Sequence, residues 1–143
     1  MKPNVEILPS QAALVDRSLQ LVLDKINTSI LARKRCTIAL SGGSTPKALY
    51  EALANQNLPW SKIYVFWGDE RYVSPDHPDS NQGMARRAWL DKVDIPATNI
   101  YPMPTDAGDP VRDAQKYEDQ MREFFQVSVG EFPTLDVVLL GMG

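Results

Sequence analysis

The sequence I-A-L-S-G-G-S-T-P-K-A-L-Y at residues 38–50 predicts a short buried strand, a glycine-rich turn and the start of a helix. Gly42 and Gly43 permit backbone conformations that a Cβ atom would prevent, and they let a ligand approach the backbone closely. Thr45 is the expected N-cap of the helix, because Pro46 favours the first helical position. The free N–H groups of this helix would point back at the turn and favour an anion there.

This glycine-rich turn (residues 41–45) is a candidate phosphate site at the carboxyl end of a strand. Its hydroxyl groups can donate hydrogen bonds to phosphate, and a lysine just after it adds a positive charge. The turn matches neither the Walker pattern G-x-x-x-x-G-K-[ST] nor the dinucleotide pattern G-x-G-x-x-G. Because such a turn is also a common plain connector, both interpretations stay open on this stretch alone. The candidate phosphate-binding residues are Gly42, Gly43, Ser44, Thr45 and Lys47.

A second predicted strand, at residues 62–67, runs directly into three charged residues, Asp69, Glu70 and Arg71. In an open α/β sheet, the carboxyl ends of the strands form the crevice where ligands bind. Asp69 and Glu70 are candidates for acid–base catalysis. Because neighbouring residues at a strand end point in different directions, we expect one to face the crevice and the other to be structural. Arg71 is predicted to bind phosphate with its planar guanidinium, or alternatively to pair with one of the two carboxylates.

The only histidine, His77, lies in a proline-flanked polar loop. This setting favours a loop-stabilising or exposed role over that of a general base. Residues 79–81, Asp-Ser-Asn, are predicted to cap the next helix. Arg86 and Arg87, within that helix, are predicted to be solvated.

The order of apolar patterns predicts strands alternating with helices. We expect a doubly wound α/β fold with a mostly parallel sheet and helices on both faces, as a single domain over residues 1–143. The largely apolar segment 135–140 predicts a strand inside the sheet with neighbours on both sides, so the domain is expected to be incomplete at its C-terminus. The predicted strands lie at 5–8, 36–40, 62–67, 100–101 and 135–140, and the helices at 11–33, 46–55, 82–92 and 110–126, with Ser10 and Asp109 as N-caps.

The composition is that of an ordinary globular protein. Of the 143 residues, 43% are hydrophobic and 23% are charged. The net charge of −3, from 15 basic and 18 acidic residues, argues against nucleic-acid binding. The sequence has neither an apolar run long enough to span a membrane nor a signal peptide. The single cysteine, Cys36, is predicted to be a buried small hydrophobe, so we expect a reducing, cytoplasmic location.

Four segments resemble the motifs of 6-phosphogluconolactonases, in order and along essentially the whole chain. They are S-G-G-S-T-P-K-A-L-Y at 41–50, W-G-D-E-R-Y-V at 67–73, H-P-D-S-N at 77–81 and L-D-V-V-L-L-G-M-G at 135–143. The resemblance implies hydrolysis of 6-phospho-D-glucono-1,5-lactone to 6-phospho-D-gluconate in the oxidative pentose phosphate pathway. It also implies a sugar-phosphate substrate, no metal or organic cofactor, and a monomer at full length.

The resemblance also implies that the catalytic histidine of the family lies beyond Gly143, in a segment carrying a D-G-H triplet. The catalytic residue is therefore unknown from this sequence, and residues 1–143 are expected to be weak or inactive alone. Two alternatives stay open. One is glucosamine-6-phosphate deaminase/isomerase, which is similar in fold and glycine-rich turn, although G-D-E-R at 68–71 favours the lactonase. The other is a non-catalytic sugar-phosphate-binding protein or fragment.

Overall fold

Three parallel strands form the sheet in the computed structural model, which describes residues 1–142. They are β1 (Cys36–Leu40), β2 (Ile63–Trp67) and β3 (Val137–Val138), and their order in the sheet is β2-β1-β3. β1 and β2 pair along their whole lengths, whereas β3 adds two pairs on the other side of β1. The segment predicted as a strand at 100–101 contributes a single parallel bridge to β2. The predicted parallel α/β sheet is confirmed.

Helices cover both faces of this sheet. They are α1 (Gln11–Arg33), α2 (Ser44–Leu53), α3 (Asn81–Ala88) and α4 (Pro110–Phe125), with short 3-10 turns at Trp60–Lys62, Leu90–Lys92 and Ala97–Asn99. The predicted caps of the two long helices are confirmed. Ser10 Oγ accepts from Ala13 N at the start of α1, and the Asp109 carboxylate accepts from the first N–H groups of α4. Each cap satisfies donors that have no partner within the helix.

Alternation along the strands assigns the two faces to different helices. One face packs with α1, α2 and α3 in a cluster that includes Ile38, Leu40, Ile63, Val65, Trp67, Val22, Ile26, Leu49, Tyr50, Leu53, Ala85 and Trp89. On the other face, the Phe66 ring stacks on Tyr101 with centroids 4.8 Å apart and contacts Phe124 of α4 at 5.1 Å. Full burial of each such side chain stabilises the fold by about 1.5–3 kcal/mol.

The start of α2 corrects one prediction, because Gly43 and not Thr45 is the N-cap. Gly43 adopts a φ of 107°, and the chain becomes helical at Ser44, two residues before Pro46. A proline is tolerated within the first helical turn because the N–H that it lacks would have no acceptor in the helix. Thr45 therefore lies inside the helix, where its backbone N–H and hydroxyl are near the N-terminus.

The second half of the chain shows two shorter elements than predicted. α3 ends at Ala88, because Trp89 turns out of the helix with φ −144° and ψ −62° and is fully buried in the core. β3 covers only two of the six residues predicted, and among the described residues it is an edge strand. Val138 and Leu140 are exposed, which agrees with the expectation that the sheet is incomplete over residues 1–143, and Gly143 lies outside the described residues.

β3 is held to β1 through Asp136, at its start. The Asp136 carboxylate accepts from Thr37 N at 2.8 Å and Thr37 Oγ1 at 3.1 Å, and it also forms an ion pair with Arg33. At the basic end of α1, Arg33 and Lys34 are nevertheless exposed, and Arg35 is partly buried. Lys34 is its left-handed C-cap, and the Arg35 guanidinium lies 4.7 Å from the Phe124 ring centroid.

The segment 5–8, predicted as a strand, has no strand structure. The side chains of Val5 and Ile7 in this segment are exposed and do not pack on the core. Glu6 instead accepts two hydrogen bonds of 2.7 Å from the Arg17 guanidinium of α1.

Candidate functional site at the carboxyl ends of the strands

The two predicted site segments start side by side. β1 and β2 are in register to their last residues, Leu40 and Trp67. Gly68 N, the first N–H after β2, donates to Leu40 O at 2.9 Å. The glycine-rich turn and the acidic loop (residues 68–73) therefore leave the same edge of the sheet, which is where α/β proteins bind ligands.

The N-terminus of α2 faces this edge without a side-chain cap. The first intrahelical hydrogen bond runs from Lys47 N to Gly43 O at 3.1 Å. The N–H groups of Ser44 and Thr45 precede it and have no acceptor within the helix, while Pro46 has no N–H. Together with the positive end of the helix dipole, these two N–H groups make this end of α2 suitable for an anion.

Gly43 is required at the turn for its conformation. A Cβ placed on it would meet only Pro46 Cδ at 3.7 Å, so space is available, but its φ of +107° is strained for any other residue. Gly42 is required for a different reason. A Cβ on Gly42 would lie 2.2 Å from Asn81 Oδ1, so the side chain of Asn81 occupies the space that a larger residue would need.

Asn81 joins the glycine-rich turn to the acidic loop, and its role was not predicted from sequence. Its amide Nδ2 lies 3.3 Å from Asp69 O and 3.4 Å from Asp69 Oδ1, while its Oδ1 lies against Gly42. Within the predicted capping group, Ser80 is the N-cap of α3, accepting from Gly83 N at 3.0 Å. The one sequence signal for Asn81 is its place in the H-P-D-S-N motif, after a loop leaving the same edge.

Tyr50 fixes the first residue of the glycine-rich turn. Its hydroxyl accepts from Ser41 N at 3.0 Å and donates to Ser41 O at 2.7 Å. The Tyr50 side chain is fully buried against Trp89, with ring centroids 5.9 Å apart. Burial, and to a smaller extent the negative charge of Asp69, raise the pKa of Tyr50, so its hydroxyl keeps the proton that it donates.

The structure distinguishes the two neighbouring carboxylates. Glu70 Oε1 accepts from Asn81 N at 2.7 Å and Arg71 N at 2.8 Å, and Glu70 Oε2 accepts from Gln82 N at 2.8 Å and Ser80 Oγ at 3.3 Å. Both oxygens therefore stabilise the N-terminus of α3. The carboxylate of Glu70 is thus engaged by the backbone and by Ser80, whereas Asp69 is the exposed member of the pair.

The two cations of the candidate site are free to meet a ligand. Arg71 and Lys47 are both exposed. Within residues 1–142, the salt bridges do not include either side chain, so the alternative that Arg71 pairs with Asp69 or Glu70 is not what the structure has. Asp69, Arg71 and Lys47 thus lie on elements that meet at the edge where the glycine-rich turn leaves the sheet. Asn81 lies between Asp69 and Gly42 and contacts both.

His77 stabilises its own loop, as favoured from the sequence. Its Nδ1 accepts from Asp79 N at 3.0 Å, and its backbone N–H donates to Ser74 O at 2.9 Å. Arg87 is exposed, as predicted for both arginines of α3, whereas Arg86 is partly buried and lies 3.9 Å from the Asp91 carboxylate.

Two clefts lie near these loops. A small one of about 120 Å³ is lined by residues of the glycine-rich turn, α1, α2 and the end of β3, including Ser41 and Thr45. Ser41 Oγ is buried there without a hydrogen-bond partner among the described residues. A larger, mostly apolar cleft of about 570 Å³ lies along α4, and Glu70 and Tyr72 are among the residues that line it. In the part of the chain that the structure describes, neither a metal-binding group of His, Cys, Asp or Glu nor a helix able to cross a membrane is found.

Sequence comparisons identify the family. A profile of the family described as glucosamine-6-phosphate isomerases/6-phosphogluconolactonase matches residues 9–143. The 6-phosphogluconolactonase of Nostoc sp. is 65% identical over 143 residues, which are 100% of this chain and 60% of that protein. The enzyme of the same name from Synechocystis sp. is 61% identical over 143 residues, with the same coverage of 100% and 60%.

Solved structures agree with this relationship. The 6-phosphogluconolactonase from Trypanosoma cruzi has a TM-score of 0.87 at 34% identity, covering 99% of this chain and 59% of that one. The enzyme from Trypanosoma brucei has a TM-score of 0.87 at 33% identity, covering 99% and 60%. A monomeric glucosamine-6-phosphate deaminase, at 19% identity and a TM-score of 0.71 over 82% of this chain and 49% of that one, shares the fold.

The chain therefore belongs to the glucosamine-6-phosphate isomerase/6-phosphogluconolactonase family. It spans about 60% of the length of the curated relatives described above.

Proposed function

We propose that the protein carrying this chain hydrolyses 6-phospho-D-glucono-1,5-lactone to 6-phospho-D-gluconate, in the oxidative pentose phosphate pathway. The structural observation that carries the proposal is the uncapped N-terminus of α2, which opens onto the edge where Asp69 and Arg71 are exposed. The relatives that match the whole chain support the lactonase over the deaminase, since both are named 6-phosphogluconolactonase.

The reaction asks four things of a protein. It must hold the phosphate, orient the lactone ring, activate a water molecule, and stabilise the oxyanion that forms when the water adds to the ester carbonyl. Collapse of the tetrahedral intermediate then breaks the bond to the ring oxygen, which leaves as a hydroxyl group. Residues 1–143 are suited to the first two tasks.

In this proposal the phosphate lies at the N-terminus of α2. The N–H groups of Ser44 and Thr45 and their hydroxyls donate to its oxygens, and Gly42 and Gly43 let it approach the backbone. Arg71 contributes a bidentate pair of N–H donors, and Lys47 adds positive charge. Asp69, held by the Asn81 amide, accepts hydrogen bonds from hydroxyl groups of the sugar and so orients it.

We further propose that residues 1–143 do not hydrolyse the lactone alone. His77, whose Nδ1 accepts a loop hydrogen bond, is occupied in stabilising that loop. Asp69, the exposed carboxylate beside the turn among the described residues, has the orienting role in this proposal and not that of the base. The resemblance to lactonases puts the general base in a segment following the G-M-G sequence.

The remaining properties of the proposal concern the whole protein. We propose that residues 1–143 belong to one sugar-phosphate-binding domain, because one hydrophobic cluster joins β1 and β2 with α1, α2 and α3. We also propose a monomeric cytoplasmic protein without a nucleic-acid partner. The acidic net charge of −3 supports the absence of a nucleic-acid partner. The buried free thiol of Cys36 supports the cytoplasmic location.

The deciding experiment is a lactone hydrolysis assay on the protein expressed at the full length of its reading frame. Loss of lactone is followed by NMR, with spontaneous opening in buffer subtracted, and ammonia release from glucosamine 6-phosphate is measured in parallel. We expect fast lactone hydrolysis and no ammonia release. Ammonia release without lactone hydrolysis would assign the deaminase activity instead. If both activities were absent, the alternative of a non-catalytic sugar-phosphate-binding protein would be favoured.

A further inference from the structure

The acidic loop is anchored on both sides of Arg71, by different elements of the fold. On one side, Glu70 holds the N-terminus of α3 through Asn81 N at 2.7 Å and Gln82 N at 2.8 Å. On the other side, the Tyr72 hydroxyl donates to Asp113 Oδ2 of α4 at 2.7 Å. The backbone of Arg71 is therefore fixed between two anchors while its guanidinium is exposed.

Asp113 is well suited to hold Tyr72. Its side chain is almost completely buried, and the same Oδ2 accepts from Ala107 N at 3.0 Å, so the carboxylate cannot turn away without losing two hydrogen bonds. It lies in the first turn of α4, where the helix dipole favours a negative charge. The hydrogen bond from Tyr72 holds the pKa of Asp113 below its ordinary value, so the acceptor is ionised at neutral pH.

The Tyr72 side chain is only partly covered by its neighbours, so its hydroxyl group is an important point of attachment. The residue is 40% exposed, although it is a large aromatic, and its hydroxyl bond to Asp113 spans 41 positions of sequence. The next residue, Val73, is tied separately, because its carbonyl oxygen accepts from Thr105 Oγ1 at 2.7 Å. The acidic loop is thus attached to α3, to α4 and, through Thr105, to the segment between α3 and α4. Arg71 lies between these attachments.

We propose that Asp113 is a positioning residue, which directs Arg71 toward the phosphate site by holding Tyr72. This inference rests on the proposed function, because it assumes that Arg71 binds the phosphate of the substrate. A flexible arginine loses conformational freedom when it binds, and a loop fixed on both sides of it reduces that cost. The phosphate is remote from the carbonyl that reacts, so the contribution falls on binding more than on the chemical step.

The test compares Tyr72→Phe and Asp113→Asn with two reference variants in the protein at the full length of its reading frame. Arg71→Lys reports the loss of the phosphate ligand itself. Ser10→Ala removes the N-cap of α1, outside the loop, and so reports the effect of a general loss of stability. KM and kcat for the lactone are measured, together with the Kd of 6-phosphogluconate by calorimetry.

We expect Tyr72→Phe and Asp113→Asn each to raise KM and Kd by about fivefold to tenfold, with kcat changed by less than about twofold. Because Tyr72→Phe removes only the hydrogen bond that Asp113→Asn also disturbs, the double variant should bind no more weakly than Asp113→Asn alone. Ser10→Ala should leave KM unchanged.

The outcomes separate this inference from the proposed function. If Arg71→Lys raises KM while Tyr72→Phe and Asp113→Asn behave as Ser10→Ala, the positioning role is overturned and the function stands. If Arg71→Lys and Arg71→Ala both leave KM unchanged, Arg71 does not bind the phosphate and the positioning role is overturned with it. If the protein does not hydrolyse the lactone, the Kd of 6-phosphogluconate still decides, because equal Kd values in the wild type and both variants refute the inference.

Discussion

The Tyr50 hydroxyl satisfies both backbone polar groups of Ser41, accepting from its N–H at 3.0 Å and donating to its C=O at 2.7 Å. β1 ends at Leu40, so Ser41 no longer takes part in the paired strand. A side chain of α2 thereby completes the hydrogen bonding of the residue that begins the glycine-rich turn. The geometry of the turn depends on the packing of α2 as well as on the two glycines.

Tyr50→Phe removes only this hydroxyl and should weaken both stability and binding. We expect a loss of about 1–3 kcal/mol in the free energy of unfolding, because two partly buried backbone groups lose their partner. The Kd of 6-phosphogluconate should rise as the turn loosens. Urea denaturation and calorimetry measure the two quantities. Tyr64→Phe is the control, because the hydroxyl of Tyr64 makes no hydrogen bond within residues 1–142 while its ring packs on Phe124. Equal effects of the two variants would count against the role given to Tyr50.

Replacement of Gly43 should affect binding through conformation. Gly43→Ala forces a Cβ onto a backbone with φ +107°, at a cost of about 1–3 kcal/mol, although the space around it is open. Gly43→Val adds a branched side chain to the same strain and should abolish sugar-phosphate binding in a protein that still folds. Gly108→Ala is a matched control, since Gly108 has φ +73° and nothing within 4 Å of its Cβ position.

Both alanine variants should therefore be destabilised, but only Gly43→Ala should raise the Kd of 6-phosphogluconate. Circular dichroism and urea denaturation establish folding and stability, and calorimetry measures binding. A folded Gly43→Val protein with unchanged affinity would remove the glycine-rich turn from the phosphate site.

Arg71 should contribute to binding with little effect on stability, because its side chain is exposed and forms none of the salt bridges within residues 1–142. Arg71→Ala should weaken binding of the lactone by about 2–4 kcal/mol if the ion pair with phosphate is desolvated. Arg71→Lys keeps the charge but loses the bidentate geometry, so it should also weaken binding, to a smaller extent. Arg87→Lys, on the exposed side of α3, is the control. Wild-type affinity in both Arg71 variants would mean that the phosphate is held elsewhere.

Cys36 should be unreactive in the folded protein. Burial, followed by the negative charge of Asp136, raises the pKa of its thiol from 9.0 to about 12. The folded state therefore binds this proton more tightly than the unfolded state does. The resulting contribution to stability is fully present below about pH 9 and is lost as the pH rises toward about 12. A thiol reagent at mildly alkaline pH should label the protein only after urea is added.

The pH dependence of unfolding provides the second measurement on Cys36. Burial also raises the pKa of Tyr50 and Tyr117, whose contributions have the same sign, so the wild type is compared with Cys36→Ala. The variant should lose less stability than the wild type over the alkaline range. Rapid labelling of the native thiol would show that the N-terminal end of β1 opens locally.

The sequence was sufficient for the parts of the fold that depend on local patterns. The apolar run before Gly42 predicted β1, and the caps Ser10 and Asp109 predicted the starts of α1 and α4. Each of these features is encoded by neighbouring residues, so that propensity and pattern agree.

The features that were missed depend on residues distant in sequence. Asn81 reaches Gly42 only because α3 begins over the edge where β1 and β2 both end. The choice between Asp69 and Glu70 depends on the direction of the chain after Gly68, which strand alternation no longer determines. The short β3 depends on Asp136, which is docked on Thr37 across 99 positions of sequence. Tertiary contacts of this kind have no local signature.

The two neighbouring carboxylates should separate stability from function. Glu70→Gln places an amide NH₂ where a carboxylate oxygen accepts from backbone N–H or hydroxyl donors at the start of α3. We expect it to lower the free energy of unfolding by about 1–3 kcal/mol, since at least one buried or partly buried donor loses its acceptor. Asp69→Asn changes an exposed side chain and should leave stability within about 0.5 kcal/mol of the wild type.

Activity should respond in the opposite order, with Asp69→Asn reducing kcat/KM for the lactone more than Glu70→Gln does when both are assayed well below their unfolding temperatures. Urea denaturation and the lactone assay on the same preparations give both quantities. The control is Asp76→Asn, an exposed aspartate in the loop that carries His77. If Glu70→Gln instead lost activity with unchanged stability, Glu70 would take part in the reaction, and its four hydrogen bonds to the start of α3 and to Arg71 N would have to break in the substrate complex.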